Sequence, residues 1–451
     1  MEKPTILVVG TLDTKLEETL YLRDQIIASN ACSVKVFDVG RVTSDDTKRF
    51  EPEELITPKH GSAFSGMQRA EYIQEMINLC IPIVQDLVSS SAIQGIISAG
   101  GSSGSSLATA LMRNCCPVGF PKLQVSTMAS GDMKHYIEET DITMMYSVVD
   151  IAGINSILKR ILGNAAGAIV GMTTAYAKSK AEMNGHATQG KRIAVTMFGV
   201  TTPCVDHIRR ILDAAPHEPG EHEVYVFHAT GAGGLAMERL ISEGNIDAVI
   251  DLTTTEIADH LFGGVLSAGP SRMDAAAKKG IPQVISVGAL DMVNFGPKDS
   301  VPDKYKDRNL YEHNPAVTLM RTTKEENHQM GHFIVDKLKT ATNPSSIKVL
   351  LPLGGVSMID KPDQPFNDPE ADKMLFDTIE DGLDSTDIEV EKYAENINDE
   401  VFAAQIARSI LELMGTDPRK YRLANHRRRR WSFDHGSKIT GVPRRPSKTE
   451  T

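Results

Sequence analysis

Short apolar runs closed by small or polar residues alternate along the chain with longer stretches in which apolar side chains return every third or fourth position. Thr5–Val9, Val34–Val39, Ile96–Ala99 and Leu123–Ser126 read as strands, while Leu16–Ile27 and Arg69–Leu87 carry helical periodicity. Brief runs that stay apolar instead of alternating suit strands buried on both faces of a parallel sheet. Strand and helix in alternation, with short turns between, predict βαβ units and a doubly wound α/β sheet.

The second half repeats this order. Arg192–Phe198 runs into GVTTPC as Thr5–Val9 runs into GTLDTK, and Ala248–Leu252 before TTTE stands where Ile96–Ala99 stands before GGSSG. FPKLQVSTMASGDM (Phe120–Met133) is echoed by IPQVISVGALDM (Ile281–Met292), each a strand introduced by proline and ending in small residues and Asp-Met. Two similar α/β domains are expected, residues 1–187 and 188–422, divided at the polar stretch Asn184–Lys191. Ahead of that boundary Val148–Met183 reads as mainly helical, with Gly163, Gly167 and Gly171 four apart. That face either admits a very close helix contact, or the helix simply lies flat on the sheet.

Charge alters the picture at one end. Leu423–Thr451 carries eight Lys and Arg against two acids, a net of +6 in a chain whose total is −11. The body is therefore strongly acidic, which argues against nucleic-acid binding by its folded part. The tail, with Arg427–Arg430, Trp431, Arg444 and Arg445 among Gly, Pro and Ser, lacks apolar content for a core and is expected to be disordered. It suits RNA, an import receptor or an acidic lipid surface, or else is a solvated tail with no partner. The rest of the composition, 41% apolar and 24% charged, is that of a globular protein. No apolar run reaches membrane-spanning length and the first strand begins at once, so a cytoplasmic protein without a leader is expected. Five scattered cysteines without C-x-x-C spacing point to free thiols in a reducing compartment, with neither a disulfide framework nor a zinc site.

The stretch with most chemical content is QGIISAGGSSGSSL (Gln94–Leu107), a strand running into a Gly/Ser turn and a helix opening at about Ser105. Gly100, Gly101 and Gly104 let a ligand approach the backbone, and the free amides of a helix start, joined by the hydroxyls of Ser98, Ser102, Ser103, Ser105 and Ser106, favour an anion such as phosphate. A packing turn of the kind common in α/β proteins is the alternative, since the run is neither a Walker pattern nor a clean G-x-G-x-x-G. After the first strand, Lys15 can pair with a phosphate and Asp13 with a ribose hydroxyl or a metal; otherwise Thr11, Asp13 and Thr14 cap the helix.

Cys204 at a helix start behind Pro203 is either a nucleophile with a lowered pKa or an inert buried thiol. Gly231, Gly233 and Gly234 form a second glycine turn before LAMERLI, for an anion or for packing. Thr253–Thr255 with Glu256, and Asp291 with Asn294, fall at strand ends, where they hold a metal or second ligand or simply orient loops. His228, His260 and His313 show no ligand spacing among them.

Several runs carry a family resemblance: VTMFGVTTPCV (Val195–Val205), VFHATGAGGLAME (Val226–Glu238), ISVGALDMVNFGPK (Ile285–Lys298), AGGSSGSSL and SVVDIAGIN (Ser147–Asn155). Across roughly Thr5–Leu413 the chain resembles the nucleotide-binding N-terminal domain of the tomato mosaic virus resistance protein and its uncharacterised bacterial and fungal relatives. The resemblance implies two Rossmann-like domains, a homodimer, and ATP held at the Gly/Ser turn; magnesium is the candidate metal beside it. The candidate nucleotide site comprises Thr11, Asp13, Lys15, Gly100, Gly101, Ser102, Ser103, Gly104, Ser105, Ser106, Ser130 and Gly131. Ser103 stands where the plant form leads one to expect glycine. Relatives of this kind often continue into a TIM barrel resembling phosphoenolpyruvate-using enzymes, where this sequence has its basic tail; chemistry that needs the barrel is expected from a separate chain.

Two functions follow. One is a nucleotide-dependent enzyme or enzyme subunit acting on a small metabolite between the two domains, with Asp13, Lys15, Cys204, Glu256 and Asp291 as candidate catalytic groups. The other is a regulatory module that binds a protein partner and uses nucleotide as a structural ligand, as implied by the plant relative, whose domain inhibits viral replication.

Overall fold

The computed structural model describes residues 3–42, 49–58, 64, 66–183, 190–213 and 222–417. The basic tail thus lies outside the described residues.

In chain order the first elements are β1 (Thr5–Gly10), α1 (Leu16–Ala28), β2 (Ser33–Asp38), β3 (Leu55–Ile56), α2 (Arg69–Ser89), β4 (Gly95–Gly100), α3 (Ser102–Cys115), β5 (Lys122–Ser126), α4 (Lys134–Ile137), β6 (Thr143–Tyr146) and α5 (Ser156–Met183). There follow β7 (Lys191–Met197), α6 (Thr202–Asp213), β8 (His222–His228), α7 (Ala232–Ser242), β9 (Ala248–Thr253), α8 (Glu256–Phe262), α9 (Asp274–Lys279), β10 (Gln283–Gly288) and β11 (Met292–Phe295). The last are β12 (Leu310–Asn314), β13 (Val317–Arg321), α10 (Lys324–Leu338), β14 (Ile347–Pro352), α11 (Pro369–Leu383), β15 (Glu389–Tyr393) and α12 (Glu400–Leu413).

Two compact units result, the first from the described residues of Met1–Lys191, Pro219–Glu223 and Thr230–Ile246, the second from those of Arg192–Glu218, Val224–Ala229 and Asp247–Thr451. The first is built on a six-stranded parallel sheet of order β3-β2-β1-β4-β5-β6. Its central strands are buried along most of their length, as the unbroken apolar runs require; Leu7, Ile96 and Ile97 are fully covered. One face packs against α2 and α3 through Met76, Cys80, Leu107 and Leu111, the other against α1 and α5 through Leu22, Ile26, Leu158 and Ile169. The second unit has a six-stranded sheet of order β15-β14-β10-β9-β7-β8 and a small antiparallel sheet, β11-β13-β12. The predicted pair of doubly wound α/β domains is therefore what the chain forms, and among the described residues no helix is long and apolar enough to cross a membrane.

Three expectations are corrected. The helix after the Gly/Ser turn begins at Ser102, not Ser105, because buried Ser105 bonds back to Gly100 O and to Ser126 Oγ and pulls the helix start down to the strand end. Residues 148–155 are irregular, and α5 begins only at Ser156. The close contact expected of the Gly163, Gly167 and Gly171 face is absent, a Cβ at each finding nothing within 4 Å, while α5 lies on the sheet, the alternative reading, through Leu158, Leu162 and Ile169. Close approach occurs instead where Thr173 of α5 meets β4, since a Cβ on Gly95 would lie 2.2 Å from the threonine hydroxyl. Lys122 is a charge in the core that periodicity did not flag; its ammonium donates to Pro117 O and Phe120 O and pairs with Asp141 at 2.7 Å.

Candidate functional site

In a doubly wound sheet the ligand crevice opens beyond the carboxyl ends of the two strands where the strand order reverses. Here those strands are β1 and β4, paired with Ile6 beside Gly95 and Val9 beside Ser98. A cavity of about 550 Å³ lies there. Its floor is Val9 and Gly10 at the end of β1 with Thr11 after it, and Ser98–Gly100 at the end of β4 with Gly101 after it; its walls come from the starts of α1, α2 and α3. Gly10 is needed for this arrangement, because a Cβ there would lie 2.4 Å from the Thr19 hydroxyl and push α1 off the strand.

Gly101 stands before α3 in extended conformation and no side chain caps that helix. Ser105 N donates to Gly101 O at 2.9 Å, so the intrahelical ladder starts there and the amides of Ser102, Ser103 and Gly104 precede it. All three of these residues line the cavity. Lys15, at the start of α1, and Arg69, at the start of α2, line it too, and neither side chain has a hydrogen-bond or ionic partner among the described residues. Arg41 is held in place: its guanidinium donates to Met67 O at 2.6 Å and lies 4.8 Å from the Tyr72 ring centroid. Val39, Ile73 and Leu107 provide apolar wall, and Asp150 adds a second carboxylate to that of Asp13.

Of the sequence-predicted site residues, Thr11, Asp13, Lys15, Gly100, Gly101, Ser102, Ser103 and Gly104 come together around this cavity. Asp13 does not cap α1; its carboxylate accepts from the amides of Arg41 at 2.9 Å and Val42 at 3.3 Å, tying the loop after β2 to the mouth of the site. Four residues fall elsewhere. The Ser105 hydroxyl is buried against Gly100 O and Ser126, and that of Ser106 bonds to Ser102 O within the helix. Ser130 and Gly131 sit in an exposed turn after β5 and are not part of the cavity lining. Arg41, Arg69, Tyr72 and Asp150 were missed, because their places depend on which strand ends become neighbours, which no local pattern carries.

The candidates in the second unit are interior groups. Cys204 is wholly buried, and burial pushes its thiol far above the usual range, opposite to what a nucleophile needs. Glu256 is fully buried and takes Arg272 Nε at 2.8 Å, while the same guanidinium grips Asp251 with both terminal nitrogens at 2.6 Å. Asn294 bonds to Thr255 and Asp259. Gly231, which belongs to the first unit, caps α7 with φ of 87°, a conformation that alone demands glycine. Among the described residues no group of three His, Cys, Asp or Glu is arranged to hold a metal. All five cysteines are free, as expected, and buried.

Asp291 also lies in the interior, with one oxygen accepting from Ser357 Oγ at 2.7 Å and the other without a partner. Burial, aided by the charge of Asp360, pushes its carboxyl up to about 7. A raised folded-state pKa means that the stability this group contributes is complete below about pH 4 and is lost as pH rises through 7. Asp291→Asn is expected to be more stable than the parent by roughly 1–3 kcal/mol at pH 8, with most of that difference gone at pH 5. Melting temperatures of both proteins across this range check it; a pH-independent difference would show that the carboxylate is not the cause.

Residues 4–178 match the N-terminal domain, and residues 190–414 the C-terminal domain, of the Uncharacterised protein family (UPF0261). The chain belongs to this family. A UPF0261 protein of Clostridium tetani is 45% identical over 414 residues, covering 91% of this chain and 98% of its own length. The ToMV resistance protein Tm-1(GCR237) of Solanum lycopersicum is 39% identical over 433 residues, 91% of this chain but 56% of the tomato protein. A tomato protein described as ToMV susceptible matches at the same 39% identity, so family membership does not track resistance. Among solved structures, the UDP-GlcNAc 2-epimerase from Methanocaldococcus jannaschii covers 63% of this chain and 83% of its own at 8% identity and a TM-score of 0.22, a likeness that carries no inference about activity.

Proposed function

We propose that the first unit binds ATP or a related nucleotide in the cavity between the ends of β1 and β4. The observation that carries this reading is the convergence of the amino terminus of α3 with two cationic side chains, Lys15 and Arg69, that have no partner among the described residues. A helix start presents amides and a positive dipole end to an anion, and Lys15 adds a point charge suited to phosphate oxygens. Val39, Ile73 and Leu107 offer the apolar surface that a base requires. Magnesium brought by the nucleotide is usually held by one or two carboxylates and the phosphates, which Asp13 and Asp150 fit in type.

Calorimetric titration of ATP into the protein and into Lys15→Met tests the reading. A charge-assisted contact contributes about 1.5–3 kcal/mol, so the variant is expected to bind roughly ten-fold to a hundred-fold more weakly. Absence of ATP binding by the parent, or equal binding by the two, overturns it.

Asp13 favours nucleotide as a bound ligand over nucleotide as a substrate. Its carboxylate is engaged in holding Arg41 and Val42 and is not an idle base. On this second reading the nucleotide is a structural ligand of a module that binds a protein partner and survives long incubation, whereas phosphate release would return the enzyme to first place.

A further inference from the structure

The second unit carries a pair of side chains that no part of the nucleotide reading uses. His328 and His332 lie one turn apart on the exposed side of α10, with their Nε2 atoms 3.2 Å from each other and their rings at 76°. We propose that they form a site for a divalent first-row transition ion, with zinc as the probe.

Thr378 sets the chemistry. Its hydroxyl donates to Met374 O at 2.6 Å, which commits its one proton, so at 2.9 Å from His328 Nδ1 the same oxygen accepts. The neutral His328 ring therefore carries its proton on Nδ1 and leaves Nε2, 3.2 Å from His332 Nε2, unprotonated. This is the tautomer a ligating imidazole takes when its other nitrogen is held by a hydrogen bond. The spacing fits as well: two Zn–N bonds of about 2.0–2.1 Å at a tetrahedral angle place the nitrogens about 3.3 Å apart.

The pair is also pre-positioned by packing. α11 approaches α10 so closely at Gly331 that a Cβ there would lie 2.8 Å from Thr378 Cβ, which leaves Thr378 little room to move away from His328. No third His, Cys, Asp or Glu joins the two among the described residues, so the remaining coordination positions belong to water or to a group from another molecule. Such an open arrangement suits zinc, copper(II) or nickel(II), which imidazole binds well, over the oxygen-seeking magnesium or calcium.

The test is calorimetric titration of zinc chloride into full-length protein stripped of metal, with the single alanine variants at His328 and His332 and the double variant. One binding event is expected in the parent, weakened at least ten-fold in each single variant and lost in the double one, with circular dichroism unchanged. Thr378→Val keeps the packing and removes the acceptor for Nδ1–H; it is expected to weaken zinc about ten-fold, the usual effect of losing such an outer contact. Parent-like zinc binding by the double variant, or no zinc binding by the parent, overturns the proposal. In that case the short contact is a plain hydrogen bond from His332 to His328.

Discussion

Gly104→Asp is expected to abolish ATP binding while leaving the fold intact. Gly104 lies in the first turn of α3 and lines the cavity, and a Cβ built on it meets nothing within 4 Å, so the substitution strains neither backbone nor neighbours. With no clash at this position, charge is the agent. A carboxylate placed where the free amides point would occupy the anion site and repel phosphate through a medium less screening than bulk water. Ser103→Ala, by contrast, leaves the backbone amides in place and should cost no more than one ordinary hydrogen bond, about 0.5–1.5 kcal/mol. Titration of ATP into both variants, each checked by circular dichroism, separates them. Normal binding by folded Gly104→Asp would place the nucleotide elsewhere.

The largest loss of stability should come from Arg272→Met. Arg272 is 1% exposed and holds two buried acids, Asp251 through a two-pronged contact and Glu256 through Nε. Removing the cation strands both carboxylates in the core beneath α8, where Thr196 Oγ1 donating to Asp251 at 2.9 Å is a minor compensation. Breaking a buried pair of this kind costs about 3–5 kcal/mol, chiefly from the charges left behind. Denaturant unfolding of parent and variant measures it. Adding Asp251→Leu and Glu256→Met to Arg272→Met should restore part of the loss, because an apolar replacement leaves no charge uncompensated. If Arg272→Met is as stable as the parent, the network is not needed for stability.

Several elements are legible without the structure. α1, α2, β1, β2, β4, β5, β7 and β9 fall within a residue or two of their periodic runs, since an apolar run bounded by turn residues reflects burial of that segment alone. β6 and the antiparallel β11-β13-β12 sheet are not legible, being short and of mixed polarity. His328 and His332 are a different case. Their i, i+4 spacing is plain in the chain, but it becomes informative only once Thr378, fifty residues away, shows which nitrogen bears the proton.

What the sequence by itself determined is therefore the α/β class, the duplication into two doubly wound sheets and the Gly/Ser turn as the place to look, because periodicity and turn chemistry are local properties of the backbone. Only the tertiary structure decided which polar residues share a site. Strand order sets β1 beside β4, which brings Lys15, Arg69 and the start of α3 to one cavity. In the second unit, packing closes over Cys204, Glu256 and Asp291, whose positions at element ends look no different in the chain from that of Asp13. Burial and neighbour choice depend on segments far apart in sequence, and those are the quantities that separate a binding group from an interior one.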